Sequence, residues 1–186
     1  MSDPPNTPPQ SSVSRGWVAV CTIVAIVVVA LPIAFLVAGA DDTANAERDA
    51  ALARVRAATA KYKDIEVAKR DGYRRTTDCF DSIDGEGGMG VHYQNDALAD
   101  DDKISLLKPE QLLYEPGKEG RRPQLVGVEY YAEFTGQRPP QIGFGPFDGP
   151  MPGHYPGQPT HYDVHVYVHR KNTLGTFNIW NPAVSC

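Results

Sequence analysis

Hydrophobic and polar positions divide the chain into parts of different texture. Trp17 to Ala40, WVAVCTIVAIVVVALPIAFLVAGA, holds no charged residue. A helix of that length reaches about 36 Å at about 1.5 Å per residue, enough to cross a hydrocarbon core of roughly 30 Å. The run predicts a transmembrane helix at 17–40, with Trp17 as an interfacial aromatic and Pro32 tolerated in the span. Residues 1–16 are rich in Pro and Ser and lack apolar bulk, so they predict a disordered cytoplasmic tail. Arg15 before the span and Asp41-Asp42 after it place the N-terminus in the cytoplasm and the rest of the chain outside. A cleaved signal peptide is the competing reading, because Ala38-Gly39-Ala40 fits a small-x-small cleavage site. The apolar run is longer than the roughly 7–15 residues of a signal core. Cleavage after Ala40 would release the same domain on the same side.

Beyond the span, Thr43 to Arg70 is Ala-rich, charged throughout and free of Gly and Pro. It predicts a helix closed by Gly72 as a C-cap. Ala46, Ala50, Ala53, Ala57, Ala60, Asp64 and Ala68 fall on one face at helical spacing. The first part, 41–58, reads as a helical stalk. Residues 59–186 read as one extracytoplasmic α+β domain. From Tyr73 onward short apolar runs alternate with turn signals. Leu125 to Tyr131 and the strictly alternating His161 to His169 predict strands, and Thr173 to Trp180 predicts a last strand or an extended finish. The Gly/Pro-rich stretch from 143 to 159 cannot be helix. It carries Phe144, Phe147, Met151, His154 and Tyr155, which predicts a ligand-binding or packing loop. The expected architecture is a helix followed by a small antiparallel sheet or partial β-barrel.

Composition narrows the partners. The formal net charge is −5 and charged residues make up 22% of the chain. Clustered Lys and Arg are what neutralise phosphates, and the basic clusters Arg74-Arg75 and Arg121-Arg122 are too short for that, so no nucleic-acid partner is expected. The lipid bilayer is the expected partner of residues 17–40, and the sequence does not name a protein partner. Of three cysteines, Cys21 lies in the apolar span. Cys79 and Cys186 both fall in the outside domain, where an oxidising compartment favours a disulfide between them over free thiols. No C-x-x-C redox pair is present.

The sharpest chemistry sits on histidine. At period two, His161, Asp163, His165, Tyr167 and His169 share one strand face, and Tyr162, Val164, Val166 and Val168 share the other. The valine face is the core candidate. Residues i and i+2 stand about 6.6 Å apart and i and i+4 about 13 Å, while metal–nitrogen bonds are about 2.0–2.1 Å. Neighbouring members can therefore share an ion, whereas His161 and His165 can do so only if the strand bends. Asp163 can be a ligand or the acceptor that fixes a histidine tautomer. The remote candidates are His92, in the Gly-rich run Gly85 to Tyr93, and Glu129, a carboxylate within an apolar strand that needs a partner. Zinc, copper or iron suits such imidazole ligands. A plain solvated strand face is the ordinary alternative. A His–Asp general base lacks an identifiable nucleophile, and Asp100-Asp101-Asp102 reads as a solvated loop or a weak calcium site.

Several short pieces run in order along the chain: AKYKD (Ala60 to Asp64), DGY (Asp71 to Tyr73), GMGVHY (Gly88 to Tyr93), LLYEP (Leu112 to Pro116), LVGVEY (Leu125 to Tyr130), FDGPMPGH (Phe147 to His154), HYDVHV (His161 to Val166) and WNPAVSC (Trp180 to Cys186). Together they resemble a family of bacterial secreted or envelope proteins of uncharacterised activity. The resemblance runs from about residue 58 to the end. It implies that this region is one unit, and it implies no activity. The expected function is a single-pass, membrane-anchored extracytoplasmic protein with a metal-binding histidine cluster. The alternative is a non-enzymatic envelope domain that binds a protein or small ligand through the aromatic loop.

Overall fold

The computed structural model describes residues 41–118 and 120–186. The tail and span expected at 1–16 and 17–40 lie outside the described residues, and no described helix is long and apolar enough to cross a membrane. The chain divides into two units, Met1–Asn45 and Ala46–Cys186. The second carries the fold set out below.

Residues 41–59 are helical, and the part within the folded unit, 46–59, is α1. The predicted single helix does not run on to Arg70. A 3₁₀ turn follows at Ala60–Lys63, Asp64 turns extended, and a second helix, α2, spans Ile65–Arg70. Asp64 supplies the reason for the break: its carboxylate accepts from Glu66 N at 3.1 Å and caps α2. α2 ends in a Schellman motif. Tyr73 N donates to Ala68 O, Gly72 N donates to Lys69 O, and Gly72 takes φ +96° at the left-handed position. The alanine stripe is not the docking face. Ala50, Ala53 and Ala57 are exposed, whereas Ala51, Val55 and Thr59 are buried at i, i+4 and i+8. The domain thus begins earlier than residue 59, because Ala51 and Val55 already belong to its interior.

Seven strands form one antiparallel sheet: β1 (Arg74–Arg75), β2 (Phe80–Asp81), β3 (Gly88–Gln94), β4 (Gln111–Glu115), β5 (Gln124–Glu133), β8 (Asp148–Met151) and β9 (His161–Val166). Their order is β1-β3-β4-β5-β9-β8, with β2 also on β3. The sheet is open, not closed into a barrel. A short hairpin, β6 (Gln141–Ile142) with β7 (Gly145–Pro146), and a one-turn helix, α3 (Asp96–Ala99), complete the elements. One face of the sheet packs Leu112, Tyr114, Val128, Tyr130, Tyr162, Val164 and Val166 against Val55, Tyr62, Ile65 and Ala68 of the helical layer. The other face carries a smaller apolar cluster of Leu113, Val126, Tyr167 and Val184. The strand predicted for 125–131 is β5.

The strand predicted for 161–169 stops at Val166. Beyond it, His169 N and Arg170 N both turn to Val126 O instead of extending the ladder, and Gly127 leaves no room for a side chain beside Val166 O and Tyr167. Residues 173–180 form no strand. Asn172, Asn178 and Asn181 each accept from the backbone N–H two residues on, at 3.0, 2.9 and 3.0 Å, and these Asx turns outcompete a ladder. The final segment is held by a Cys79–Cys186 disulfide with Cα atoms 5.4 Å apart.

Candidate metal centre

Pairing register builds a polar row across the middle of the sheet. Gln94 on β3 opposes Gln111 on β4, Gln111 opposes Glu129 on β5, and Glu129 opposes His165 on β9. All four point to the face away from the helices. His92, one step along β3, leans over β4 toward the same point. The alternative of a plain solvated strand face does not hold: His92, Glu129, His161, Asp163 and His165 are all buried, none more than 3% exposed. β9 is enclosed on both faces.

Three groups converge. His92 Nε2 lies 2.9 Å from Glu129 Oε2, His165 Nε2 lies 3.5 Å from the same oxygen, and the two Nε2 atoms are 3.5 Å apart. The two rings stand edge-on, with planes at 87°. Glu129 Oε2 is buried without a hydrogen bond of acceptable geometry. A point equidistant from the three atoms lies roughly 1.9 Å from each, within a few tenths of an ångström of zinc–nitrogen and zinc–oxygen bond lengths. These groups could hold a metal ion. Burial works against the charge of Glu129, but His165 and His92, when protonated, outweigh it and pull the carboxyl below its ordinary range.

The far sides of His92 and Glu129 are also held by hydrogen bonds, and a carboxylate faces that of His165. Thr77 Oγ1 lies 3.0 Å from His92 Nδ1 and accepts from His92 N at 3.0 Å. Gln111 Nε2 donates to Glu129 Oε1 at 3.1 Å, which turns Oε2 toward the histidines. Asp163 Oδ1 faces His165 Nδ1 at 3.9 Å. Orienting partners of this kind fix ring tautomers and carboxylate rotation at metal sites.

The five residues expected as one ligand set therefore divide. His92, Glu129 and His165 meet at one point. His161 and Asp163 meet elsewhere, with His161 Nε2 3.3 Å from Asp163 Oδ2, and their neighbour is His154. The aromatic loop divides as well. Phe147 is buried in the helix-side core and Phe144 packs on Tyr130 and Phe177. Met151 ends β8 and pairs with His161. His154 and Tyr155 instead stand over the histidine face: the His154 ring lies 4.9 Å from that of His161, and the Tyr155 hydroxyl reaches Gln94 Oε1 at 3.5 Å. Thr77 and Gln111 escape sequence reasoning, because only the register sets them beside a ligand.

Glu110, also missed, is buried at 1% exposure beside the site. Its Oε2 accepts from Tyr131 N at 3.1 Å, and its Oε1 has no partner among the described residues. Burial pushes its carboxyl up, to about 8 from an ordinary value of 4.5. Below pH 4.5 the group is neutral whether the chain is folded or not. Between 4.5 and 8 the unfolded chain gives up the proton while the folded chain keeps it, so stability falls as pH rises. Glu110→Gln removes that loss. It is expected to stabilise the domain by about 3–5 kcal/mol at pH 8.5 and by far less at pH 4.5, since one pK unit is about 1.4 kcal/mol. Urea unfolding at the two pH values checks this, and an equal effect at both would refute it.

No protein-family model, curated protein or solved structure matches the chain.

Proposed function

We propose that this chain is an envelope protein, anchored through residues 17–40 with its domain outside the membrane, that binds a transition metal ion through His92, Glu129 and His165. The observation that carries the metal reading is the convergence of three buried ligand atoms at 2.9–3.5 Å, with one of them, Glu129 Oε2, left without a hydrogen bond. Two imidazoles and a carboxylate this close inside a protein need positive charge among them, from ring protons or from a metal cation, and the unbonded Glu129 Oε2 favours the cation. Two imidazoles and a carboxylate suit zinc or ferrous iron, and leave further coordination positions for water or another ligand. With Nε2 of His92 on the ion, its Nδ1 carries the proton and donates it to Thr77 Oγ1. Support for the location comes from the charge-free span and from a disulfide that belongs to an oxidising compartment.

The alternative, ligand capture by the aromatic loop, draws less support, because Phe144 and Phe147 are committed to the core.

The test is elemental analysis of the full, untagged chain extracted from membranes in mild detergent without chelator. At least one zinc, copper or iron atom per chain is expected. A content below about one ion per ten chains, with no uptake on adding zinc, would overturn the metal reading. Recovery in the cytosolic fraction would overturn the location.

A further inference from the structure

The geometry points to a second, separate metal site on the same sheet face, formed by His161, Asp163 and His154. Its tautomer is already set. His161 Nδ1 lies 3.1 Å from Pro159 O, a carbonyl that can only accept, so Nδ1 carries the proton and donates it. The free lone pair of His161 is then on Nε2, and Nε2 faces Asp163 Oδ2 at 3.3 Å. A ring lone pair and a carboxylate oxygen held this close, at 0% and 2% exposure, need a positive charge between them. Two ligands of one tetrahedral zinc stand about 3.4 Å apart, given bonds near 2.0–2.1 Å, which is the separation found. The third ligand sits on the loop: one ring nitrogen of His154 lies within 4.8 Å of both other ligand atoms. Two ligands of one zinc stand about 3.4 Å apart, so the loop carrying His154 closes inward on binding.

A proton on His161 would meet the same need, giving a plain His⁺–Asp⁻ pair. The position of His154 favours the metal. A neutral imidazole aimed edge-on at a protonated one, 4.9 Å away and half-buried, makes no hydrogen bond with it. As a third ligand it has a role.

The two sites are distinct. His165 offers Nε2 to the first, and its Nδ1 faces Asp163 Oδ1 on the opposite side of the ring. The His165 ring therefore stands between the two ions, which are not bridged by a single water as in two-metal hydrolytic centres. Asp163 would bind the second ion through Oδ2, while its Oδ1 faces His165 Nδ1 at 3.9 Å. The second site needs no residue of the first, so either can fill alone. An ion held by His154 would also pin the loop whose Tyr155 crosses to Gln94, over the first site.

The experiment is zinc binding to the metal-stripped full chain, by isothermal titration and by elemental analysis after desalting, for wild type, His154→Ala, His161→Ala and Glu129→Gln. Two zinc ions per chain are expected in wild type and one in each variant. His154 is on a half-buried loop, so His154→Ala leaves the core intact, and a circular dichroism melt of the metal-free proteins confirms the fold of all four. EDTA should also strip the remaining ion from His154→Ala at least tenfold faster than it strips the slower ion from wild type. One zinc in wild type that His154→Ala and His161→Ala leave in place would overturn the second site and spare the first. One zinc that Glu129→Gln leaves in place but His154→Ala removes would overturn the first and spare the second. No zinc in any protein would overturn both.

Discussion

Glu129→Gln is expected to abolish metal binding at the sheet centre, lowering affinity at least a thousandfold. Among the described residues, the carboxylate supplies the only anionic ligand at the point where His92 Nε2 and His165 Nε2 meet. Gln is nearly the same size, but it replaces one ligating oxygen by an amide that is neutral and, on one side, a donor. If the amide oxygen turns toward the ion, its NH₂ group faces Gln111 Nε2, which now donates to Glu129 Oε1 at 3.1 Å, and two donors clash. If the NH₂ turns inward, it meets the ligand nitrogens. Thermal unfolding gives a direct reading. A ligand present at a hundred times its Kd stabilises the folded state by about 2.7 kcal/mol, worth roughly 5–10 °C for a domain of this size. Zinc should raise the Tm of wild type by that amount through this site. Paired with His161→Ala, so that only the first site is present, Glu129→Gln should erase the shift. An undiminished shift in the double variant would show that the ion does not bind at Glu129.

The legible part of this centre came from periodicity. The alternation in HYDVHVYVH places His161, Asp163 and His165 on one face, and the strand spacing lets His161 and His165 share an ion only if the strand bends. The division into two clusters obeys that limit. Glu129 stood out as a carboxylate between Val128 and Tyr130. What sequence does not carry is register. Gln111 lies opposite Glu129, and Glu129 opposite His165, because β4, β5 and β9 pair as they do. A slip of two residues would keep every face and lose the site. For the same reason Thr77, in an irregular segment 15 residues before His92, offered no signal. The burial of the histidine face was also hidden. Polar alternation ordinarily marks a wet face, and here the loop carrying His154 and Tyr155 and the C-terminal cluster around Tyr167 and Val184 close over it. The helix break at Asp64 carries no plain sequence signal, because Ala60 to Arg70 holds no Gly or Pro. One side-chain cap redirected the chain.

Reduction of the Cys79–Cys186 bond should cost about 4–5 kcal/mol of stability, the largest single effect expected outside the metal centre. The bond closes a loop with a sequence separation of 107 residues, and chain entropy gives about 4.7 kcal/mol for a loop near 100. Domains of this size have a total of about 5–15 kcal/mol. The loss therefore takes a third or more of what holds the fold. It falls on a defined place. Asn181 is fully buried and Val184 is 1% exposed, packed with Leu113, Val126 and Tyr167 on the histidine side of the sheet. Cys186 N donates to Asp81 at 3.2 Å, and Gly88 exchanges backbone hydrogen bonds with Asn181. These contacts hold the tail locally, but each is modest, at about 1 kcal/mol per hydrogen bond. Without the covalent tie the last six residues should fray before the sheet melts, uncovering Leu113 next to His92. Urea unfolding with and without a thiol reductant should show the midpoint falling by about 2 M, with a steeper slope because the reduced unfolded chain exposes more surface. Cys79→Ser with Cys186→Ser should match the reduced protein and show faster loss of zinc to EDTA. An unchanged midpoint in the serine double variant would mean that packing of Asn181 and Val184 alone secures the C-terminus.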